Sequence, residues 1–552
     1  MIINNISIKK NLIYILLSFI ILIGFNIIKD YGIGIEEHFQ RKSGFYWLNF
    51  ILSFLSFDTL SNQVVEKIRE IELFTPNLPQ IKNVPYYGVI FDLPLAFIEI
   101  FFKINNSQDY FLIRHVTIFL IFLLSAFVFY KIILNRFENY YLANFGFLLY
   151  VFSPRIFGNI FFDNKDILFL SIITFTFYFF LKYIKNNSFQ NLIYLALFCA
   201  LSTSTRIIGI LIPISFIFII LIKLLNDEKI AYNLKIIIYF TFFTVFFLFI
   251  HWPYLWTLTL ENWFNFFTPF FQAMNPIVFF NGEFYQSKYL PISYLPLWII
   301  LTTPLFILAL FFFGFIIGMI RFSARFIKAN NFSKKYLYDL WASKNEYFDL
   351  IIMINFLLVI LLYFSVNLAL LAGWRHFYFL NFFLSYYACF SIFIFLTKFR
   401  KNNYKKKILL SILSVCLLVQ FFDIYKYHPY QSVYFNNIVP KYVKNNFEID
   451  TLSLSRVDAI KEILNDDSKN LIIGTASWTP LEDARSLIPK SKWERMSFVG
   501  TNFEKADYIY SNHYYEVDTN YNKKYKIPEN FYLYKRLIID DTRIYSIYKN
   551  KK

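Results

Sequence analysis

The strongest constraint on this chain is the recurrence of apolar runs about 20 residues long, the length an α-helix needs to cross a bilayer. The first, Asn11 to Ile28, follows Lys9 and Lys10, and no small-residue cleavage site comes after it, so it reads as an uncleaved signal anchor. Further runs begin near Arg114, Tyr141, Ile167, Phe189, Ile207, Leu234, Ile292, Leu350, Phe377 and Lys407, which makes about eleven spans. Composition agrees: 57% of the 552 residues are hydrophobic and only 16% are charged, where a soluble domain carries about a quarter. With 14 Gly, 17 Pro and 3 Cys, collagen-like, disordered and disulfide-scaffold folds are excluded. The expected fold class is an α-helical polytopic membrane protein. Its 73 Phe and 42 Tyr accompany abundant Ile, Asn and Lys, residues whose codons are all rich in A and T, so the aromatic count is no argument for an aromatic-lined site.

The net charge of +17 reads as topology rather than nucleic-acid binding, because the cations sit between spans and form no nucleic-acid motif. With the N-terminus inside, the cytoplasmic connections hold Lys131 and Arg136, then Lys182 and Lys185, then Lys223, Lys229 and Lys235. A run from Arg321 to Lys344 that includes Lys334 and Lys335, and a dense cluster from Lys398 to Lys407, complete that side. The short opposite connections hold only Arg155, Lys165, Arg206 and Arg375. The apolar stretch Tyr86–Ile104 carries Asp92, Pro94 and Glu99 and reads as a juxtamembrane or re-entrant helix, since charges are costly at mid-membrane. The expected organisation is an anchor helix at 1–28, a first outer loop at 29–113, and a multi-span region at 114–424 with outer loops at 154–166, 251–291 and 373–376. A small extracytoplasmic α/β domain follows at 425–552, placed outside by the odd span count. Within it, Arg456–Leu464 reads as a helix, Leu471–Thr475 and Tyr508–Tyr510 as strands, and Arg536–Lys549 as a hairpin turning at Asp540, Asp541 and Thr542. Cys199, Cys389 and Cys416 fall in predicted spans and read as packing residues.

The few charged residues on the outer side are the candidates for chemistry. DYGIGIEEHFQRKSG, Asp30 to Gly44, places Glu36 and Glu37 just after the first span. A carboxylate there can deprotonate a hydroxyl or hold a cation beside a phosphate; the plainer alternative is a solvated loop start. SPRIFGNIFFDNKD, Ser153 to Asp166, sets Arg155, Asp163, Lys165 and Asp166 between two spans. Such mixed charge suits phosphate and sugar hydroxyls, or equally a salt-bridged connector. Arg206 follows the small polar run Ser202–Thr205 inside an apolar stretch and needs a partner. Asp163, Asp166, Glu37 or a lipid phosphate would serve, or the side chain snorkels to the interface. GWRHF, Gly373 to Phe377, brings Arg375, a forked permanent cation suited to phosphate, and His376, a hydrogen-bond donor or plain interfacial residue. HWPYLW, His251 to Trp256, and the following ENWFNFFTPFFQ with Trp263 read as an interfacial amphipathic helix. HPYQSVYFNN, His428 to Asn437, reads as a Tyr-rich linker.

In this order the acidic pair, SPRIFGNIFFDNKD, STSTRIIGILIP, HWPYLW, GWRHFYFL and HPYQSVYFNN resemble membrane glycosyltransferases of the GT-C type. They are most similar to the bacterial protein-mannosyltransferase and aminoarabinose-transferase group, over residues 10–440. The resemblance implies a GT-C fold for the multi-span region in a bacterial-type inner membrane. It also implies that a sugar passes, with inversion, from a polyprenyl-phosphate-linked donor to a glycan, lipid or protein acceptor on the non-cytoplasmic face. Carried over by position, Glu37 or Glu36 is the base; Asp163, Asp166, Lys165 and Arg155 bind substrate; Arg206, Arg375 and His376 hold the carrier phosphate. Relatives commonly have Asp-Glu where this chain has Glu36-Glu37, and Glu37 keeps the place of the family's Glu, which makes it the expected base. No cofactor is implied with certainty, and a divalent cation stays open. A transporter or lipid flippase is disfavoured by the lack of an internal repeat and by charges gathered on one face. An O-antigen-ligase or polymerase-like enzyme is disfavoured by the early acidic residues.

Overall fold

The computed structural model describes residues 2–81, 87–224, 230–259, 275–330, 343–467, 469–512 and 523–551. Tyr86, Lys229, Trp263 with ENWFNFFTPFFQ, Lys334 and Lys335 lie outside the described residues. The helices that matter for the site are α1 (Ile2–Ile27), α2 (Glu37–Phe54), α3 (Asp58–Phe74), α4 (Asp92–Phe101), α5 (Ser107–Phe137), α6 (Tyr140–Val151), α7 (Pro154–Asn159), α8 (Asp166–Asn186), α9 (Phe189–Thr205), α10 (Leu211–Leu224) and α11 (Ile230–His251). After them come α12 (Tyr294–Thr302), α13 (Leu305–Asn330), α14 (Lys344–Ser365), α15 (Leu380–Lys398), α16 (Asn403–Lys426) and α17 (Ser455–Asp466).

Every apolar run expected to span is helical, but among the described residues 8 helices, rather than about eleven, are long and apolar enough to cross a membrane. The three that fall short are α6, α9 and α10, of 12, 17 and 14 residues. At 1.5 Å per residue α6 is about 18 Å long, against a hydrocarbon core of about 30 Å. It is continued by Phe152 and the short α7, so two pieces complete one leg of the bundle. The Ile292 run divides at Pro304, whose ring and missing N–H separate α12 from α13. Burial sorts the helices into layers: the apolar windows of α8 and α15 are 78% and 72% buried, those of α11 and α16 17% each. The first pair is therefore the inner layer, and the second leaves most of its apolar surface outward.

Two connections are built the same way. After α5, Glu138 adopts a left-handed conformation (φ 53°) and Asn139 caps Leu142 N–H; after α8, Asn187 (φ 48°) is followed by Ser188 capping Asn191 N–H. One left-handed residue ends each helix and one cap starts the next, so the chain reverses in two residues. These turns lie at the end of the bundle where Arg136 of α5 meets Asp349 of α14 (Nε–Oδ1 2.7 Å) and Lys344 Nζ donates to the Lys185 carbonyl (2.6 Å). The opposite end gathers the C-terminus of α1, the loop before α8, the C-terminus of α9 and the loop before α15.

The stretch between α1 and α5 folds on itself there. The helix α4 is 10 residues long, and its charges are neutralised by neighbours: Glu99 pairs with Arg41 of α2 and Asp92 with Arg114 of α5. Trp252, expected in an interfacial helix, is 1% exposed and packs with Trp47, Val89, Tyr254 and Leu255, while residues 253–257 form a 3-10 turn. Nor is HPYQSVYFNN a plain linker. Gln431, Val433, Tyr434 and Phe435 are buried, and Gln431 and Ser432 press so closely on Gly158 that a Cβ there would lie 2.8 Å from the Ser432 nitrogen.

The C-terminal region carries a five-stranded mixed sheet in the order β4-β3-β5-β7-β6, with β3 (Leu471–Ala476), β4 (Met496–Gly500), β5 (Tyr508–Ser511), β6 (Phe531–Ile539) and β7 (Thr542–Asn550). A separate two-stranded hairpin, β1 (Ile277–Phe280) and β2 (Glu283–Gln286), lies between α11 and α12. The strand β3 is parallel to both β4 and β5, and β6–β7 is the expected hairpin, turning at Asp540 and Asp541 with φ of 50° and 62°. Two left-handed residues in a two-residue loop match the twist of the strands they join. Asp540 also accepts from Lys426, Lys444 and Tyr427, which pins this turn to the end of α16.

Candidate active site

Glu36 and Glu37 straddle the start of α2, Glu36 as its N-cap and Glu37 as its first residue. One residue turns an α-helix by about 100°, so the two carboxylates face different surroundings. Glu37 turns inward. Its Oε1 accepts from Gly34 N–H at 2.7 Å, its Oε2 lies 3.0 Å from His115 Nε2, and both side chains are 3% exposed. An acid in the first turn is also favoured by the helix dipole. Glu36 turns to a cluster of charges, where it pairs with Arg375 Nη2, and it keeps 37% of its side chain accessible. It therefore lines a recess, although protein surrounds it.

Around that recess stand most of the residues expected from the sequence. Asp166 begins α8, pairs with Arg206 through Oδ1, and points Oδ2 at Arg375 Nε 3.9 Å away. Asp163 Oδ1 accepts from Asp166 N–H at 2.9 Å and so caps α8, while its Oδ2 and the Nε atoms of Arg206 and Arg375 are buried without a hydrogen-bond partner. Lys165 Nζ sits over the Tyr87 ring, 2.8 Å from its centroid. His376 stands in the field of Arg206, Arg375 and Lys165. Three cations and three acids thus share one site.

The electrostatics follow from burial and mutual charge. Burial by itself would raise the Glu36 carboxyl, but Arg375, Lys165 and Arg206 outweigh it and hold the group at about 2. Asp163 goes the other way, to about 6, because burial and the nearby Glu36 charge exceed the pull of Arg375 and Arg206. Burial, helped by the neighbouring guanidinium groups, pushes Lys165 and His376 well below their ordinary values, so the imidazole is neutral at pH 7. Among the described residues no group of three or more His, Cys, Asp or Glu side chains is arranged to hold a metal ion. Glu36 and Asp166 each already face a guanidinium.

Arg155 stands apart from this cluster. Its guanidinium lies 4.7 Å from the Trp298 ring and its Nε donates to the Tyr434 carbonyl at 3.1 Å. It lines a small cavity with Ala372, Gly373, Glu448 and Leu452. Several contributors were not singled out from the sequence: His115 behind Glu37, Tyr87 under Lys165, and Glu448, a buried acid that burial raises to about 8. The Arg114-His115 pair at the head of an apolar helix was a readable signal, since such polar groups are expensive there. Glu448 gave none.

Comparison with curated proteins finds no match. Asp163, Lys165, Asp166 and Arg206 all fall within residues 93–253, whereas Glu36, Glu37 and Arg375 do not. Residues 93–253 match the family model of dolichyl-phosphate-mannose-protein mannosyltransferase, which supports a membrane glycosyltransferase of the GT-C type.

Proposed function

We propose that the protein transfers a sugar from a polyprenyl-monophosphate-linked donor to an acceptor hydroxyl, with inversion at the anomeric carbon. The observation that carries this reading is the convergence of Arg206, Arg375 and Lys165 with Glu36, Asp163 and Asp166 in one recess at one end of the helical bundle. The cations receive the donor phosphate, and its arrival draws Arg375 away from Glu36. That loss of a paired cation raises the Glu36 carboxyl toward the range of a working base. Glu36 then takes the acceptor proton, the acceptor oxygen attacks the anomeric carbon, and the bond from that carbon to the phosphate oxygen breaks. The electron pair leaves on the phosphate, where the guanidinium groups stabilise it. A single displacement inverts the centre.

Accessibility favours Glu36 over Glu37 as the base, which revises the expectation from the sequence: a carboxylate 3% exposed and bonded to Gly34 and His115 is poorly placed to meet an acceptor. Asp163, with its unpartnered Oδ2, faces the sugar or acceptor hydroxyls. Arg155 supports the loop around Gly373 rather than touching substrate. In this reading the N-terminus is cytoplasmic, the recess and C-terminal domain lie outside a bacterial-type inner membrane, and the eleven predicted legs all cross, α6, α9 and α10 as short inner pieces. The acceptor is a glycan, lipid or protein that reaches the recess from the outer side.

The test is transfer in proteoliposomes containing a polyprenyl-phosphate-linked pentose or hexose. Release of polyprenyl phosphate with the sugar on an acceptor, lost in Arg375→Gln and Glu36→Gln, is expected. Movement of the carrier across the vesicle without any transfer would replace the reading with that of a flippase. A chelator titration of the same assay settles whether a divalent cation takes part.

A further inference from the structure

The two charged partners at the centre of the recess sit on separate loops. Glu36 ends the Tyr31–Ile35 stretch, and Arg375 follows Ala372 and Gly373. Each loop has contacts to the helical bundle, through Glu37 and His115 on one side and through Tyr294 and Thr302 on the other. Both are also tied to one short segment of the C-terminal region, 448–456.

On the Glu36 side, Ile35 N–H donates to the Leu452 carbonyl at 3.2 Å. Arg456 is fully buried and spends its guanidinium on three carbonyls: Ser453 at 3.0 Å, Pro480 at 2.6 Å and Ile33 at 3.1 Å. Gly32 fits because a Cβ there would meet the Leu454 carbonyl at 2.3 Å. His38, the second residue of α2, reaches the Asp483 carbonyl at 3.0 Å. On the Arg375 side, the buried Glu448 carboxyl lines one small cavity with Ala372 and Gly373, both in left-handed conformations (φ 59° and 67°). The segment between these contacts is itself fixed. Asp450 Oδ1 caps Leu454 N–H at 2.9 Å and Oδ2 accepts from Ser455 N–H at 3.1 Å, which ties it to the start of α17.

We infer that the segment 448–456 is a bracket that sets the distance between Glu36 and Arg375, with Arg456 and Glu448 as its positioning residues. The inference rests on the reading of this recess as the transferase site. Neither residue touches substrate. Each fixes a backbone loop whose next few residues present a reacting or phosphate-holding group, so releasing one loop moves one half of the pair and leaves the other in place. A shift of about 1 Å in such a site costs about 10²-fold in rate.

The experiment uses the full-length protein in proteoliposomes and compares Arg456→Gln and Arg456→Lys with Asp466→Asn. Asp466 holds Tyr508, Tyr534 and Lys549 on the far side of the same domain, so its loss controls for simple destabilisation. Arg456→Gln is expected to lower kcat by about 10²-fold with the donor KM within about 2-fold, Arg456→Lys to recover part of it, and Asp466→Asn to leave kcat per folded molecule unchanged. A second readout needs no transferase activity. In a background with Cys199, Cys389 and Cys416 replaced by Ala and Glu36→Cys introduced, the pH dependence of alkylation reports how near Arg375 stands to the thiol. Adding Arg456→Gln should shift that profile to higher pH, while adding Asp466→Asn should not. If Arg456→Gln leaves the alkylation profile unmoved, the bracket is refuted, whatever the activity. If the profile moves while the wild type transfers no sugar, the bracket stands and the transferase reading falls.

Discussion

The two adjacent glutamates should separate cleanly into a residue of reaction and a residue of structure. Gln replaces Glu with almost no change in volume, so Glu36→Gln and Glu37→Gln each remove a charge and little else. At Glu36 the lost charge is that of the proposed base, worth about 10²–10⁴ in kcat, or about 3–5 kcal/mol of barrier. The stability cost should be small, about 1 kcal/mol or less, because its carboxylate is 37% accessible and Arg375 retains Asp163 and Asp166 nearby. At Glu37 the balance reverses. Carboxylate and imidazole are both 3% exposed, and Gly34 N–H also depends on this acid. Weakening a buried, fully used acceptor costs about 1–3 kcal/mol of stability, while turnover per folded molecule falls only as far as the α2 start shifts. The assay is transfer from a lipid-phosphate sugar in proteoliposomes, read beside thermal unfolding in detergent. Glu37→Gln losing about 10²-fold in kcat at unchanged unfolding temperature, with Glu36→Gln near wild type, would refute the assignment and return the base to Glu37.

Four further outcomes follow from the same geometry. Because Asp163 stands at about 6, the pH–rate profile should carry an acidic limb near that value, activity rising as the carboxyl ionises, and Asp163→Asn should flatten it. Glu448 is raised to about 8, so the stability its neutral form supports is lost as pH climbs through that value. Unfolding should therefore become easier by about 1 kcal/mol per pH unit between the ordinary carboxyl value and about 8 in the wild type, level off above that, and show no such slope in Glu448→Gln. Arg206→Gln leaves Asp166, which is 1% exposed, with only the longer Arg375 contact, and should raise the donor KM and lower the unfolding temperature together. At the opposite end, Asp349→Asn leaves the nearly buried Arg136 without its carboxylate and should cost up to about 3–5 kcal/mol of stability with kcat per folded molecule intact.

What the sequence made legible was whatever hydropathy or turn chemistry encodes locally. The apolar runs marked every leg of the bundle, and the Asp540-Asp541 turn marked the final hairpin because two acids in left-handed conformations suit a two-residue loop. The strand β4 was missed: its MSFVG is short, lies at the edge of the sheet and follows a run of charges, so it has no alternation to read. The length of α6 was not legible, because its 12-residue helix is continued by α7 rather than by its own residues. The set of charges in the recess could be named from spacing, since each follows or precedes an apolar run. Which of Glu36 and Glu37 faces the recess could not, because that depends on the residue at which α2 begins. The role of 428–456 was invisible for a different reason: its partners are Gly158, Ile33, Ile35 and Gly373, far away in the chain.

That separation has a bearing on how the protein comes into being. Ile33 and Arg456 are 423 residues apart, so the ribosome delivers the stretch bearing Glu36 long before the segment that fixes it. During synthesis the nascent chain carries the acid, and later the cations, in the membrane without a finished centre. On the bracket reading, a chain truncated before residue 448 would be helical and inert.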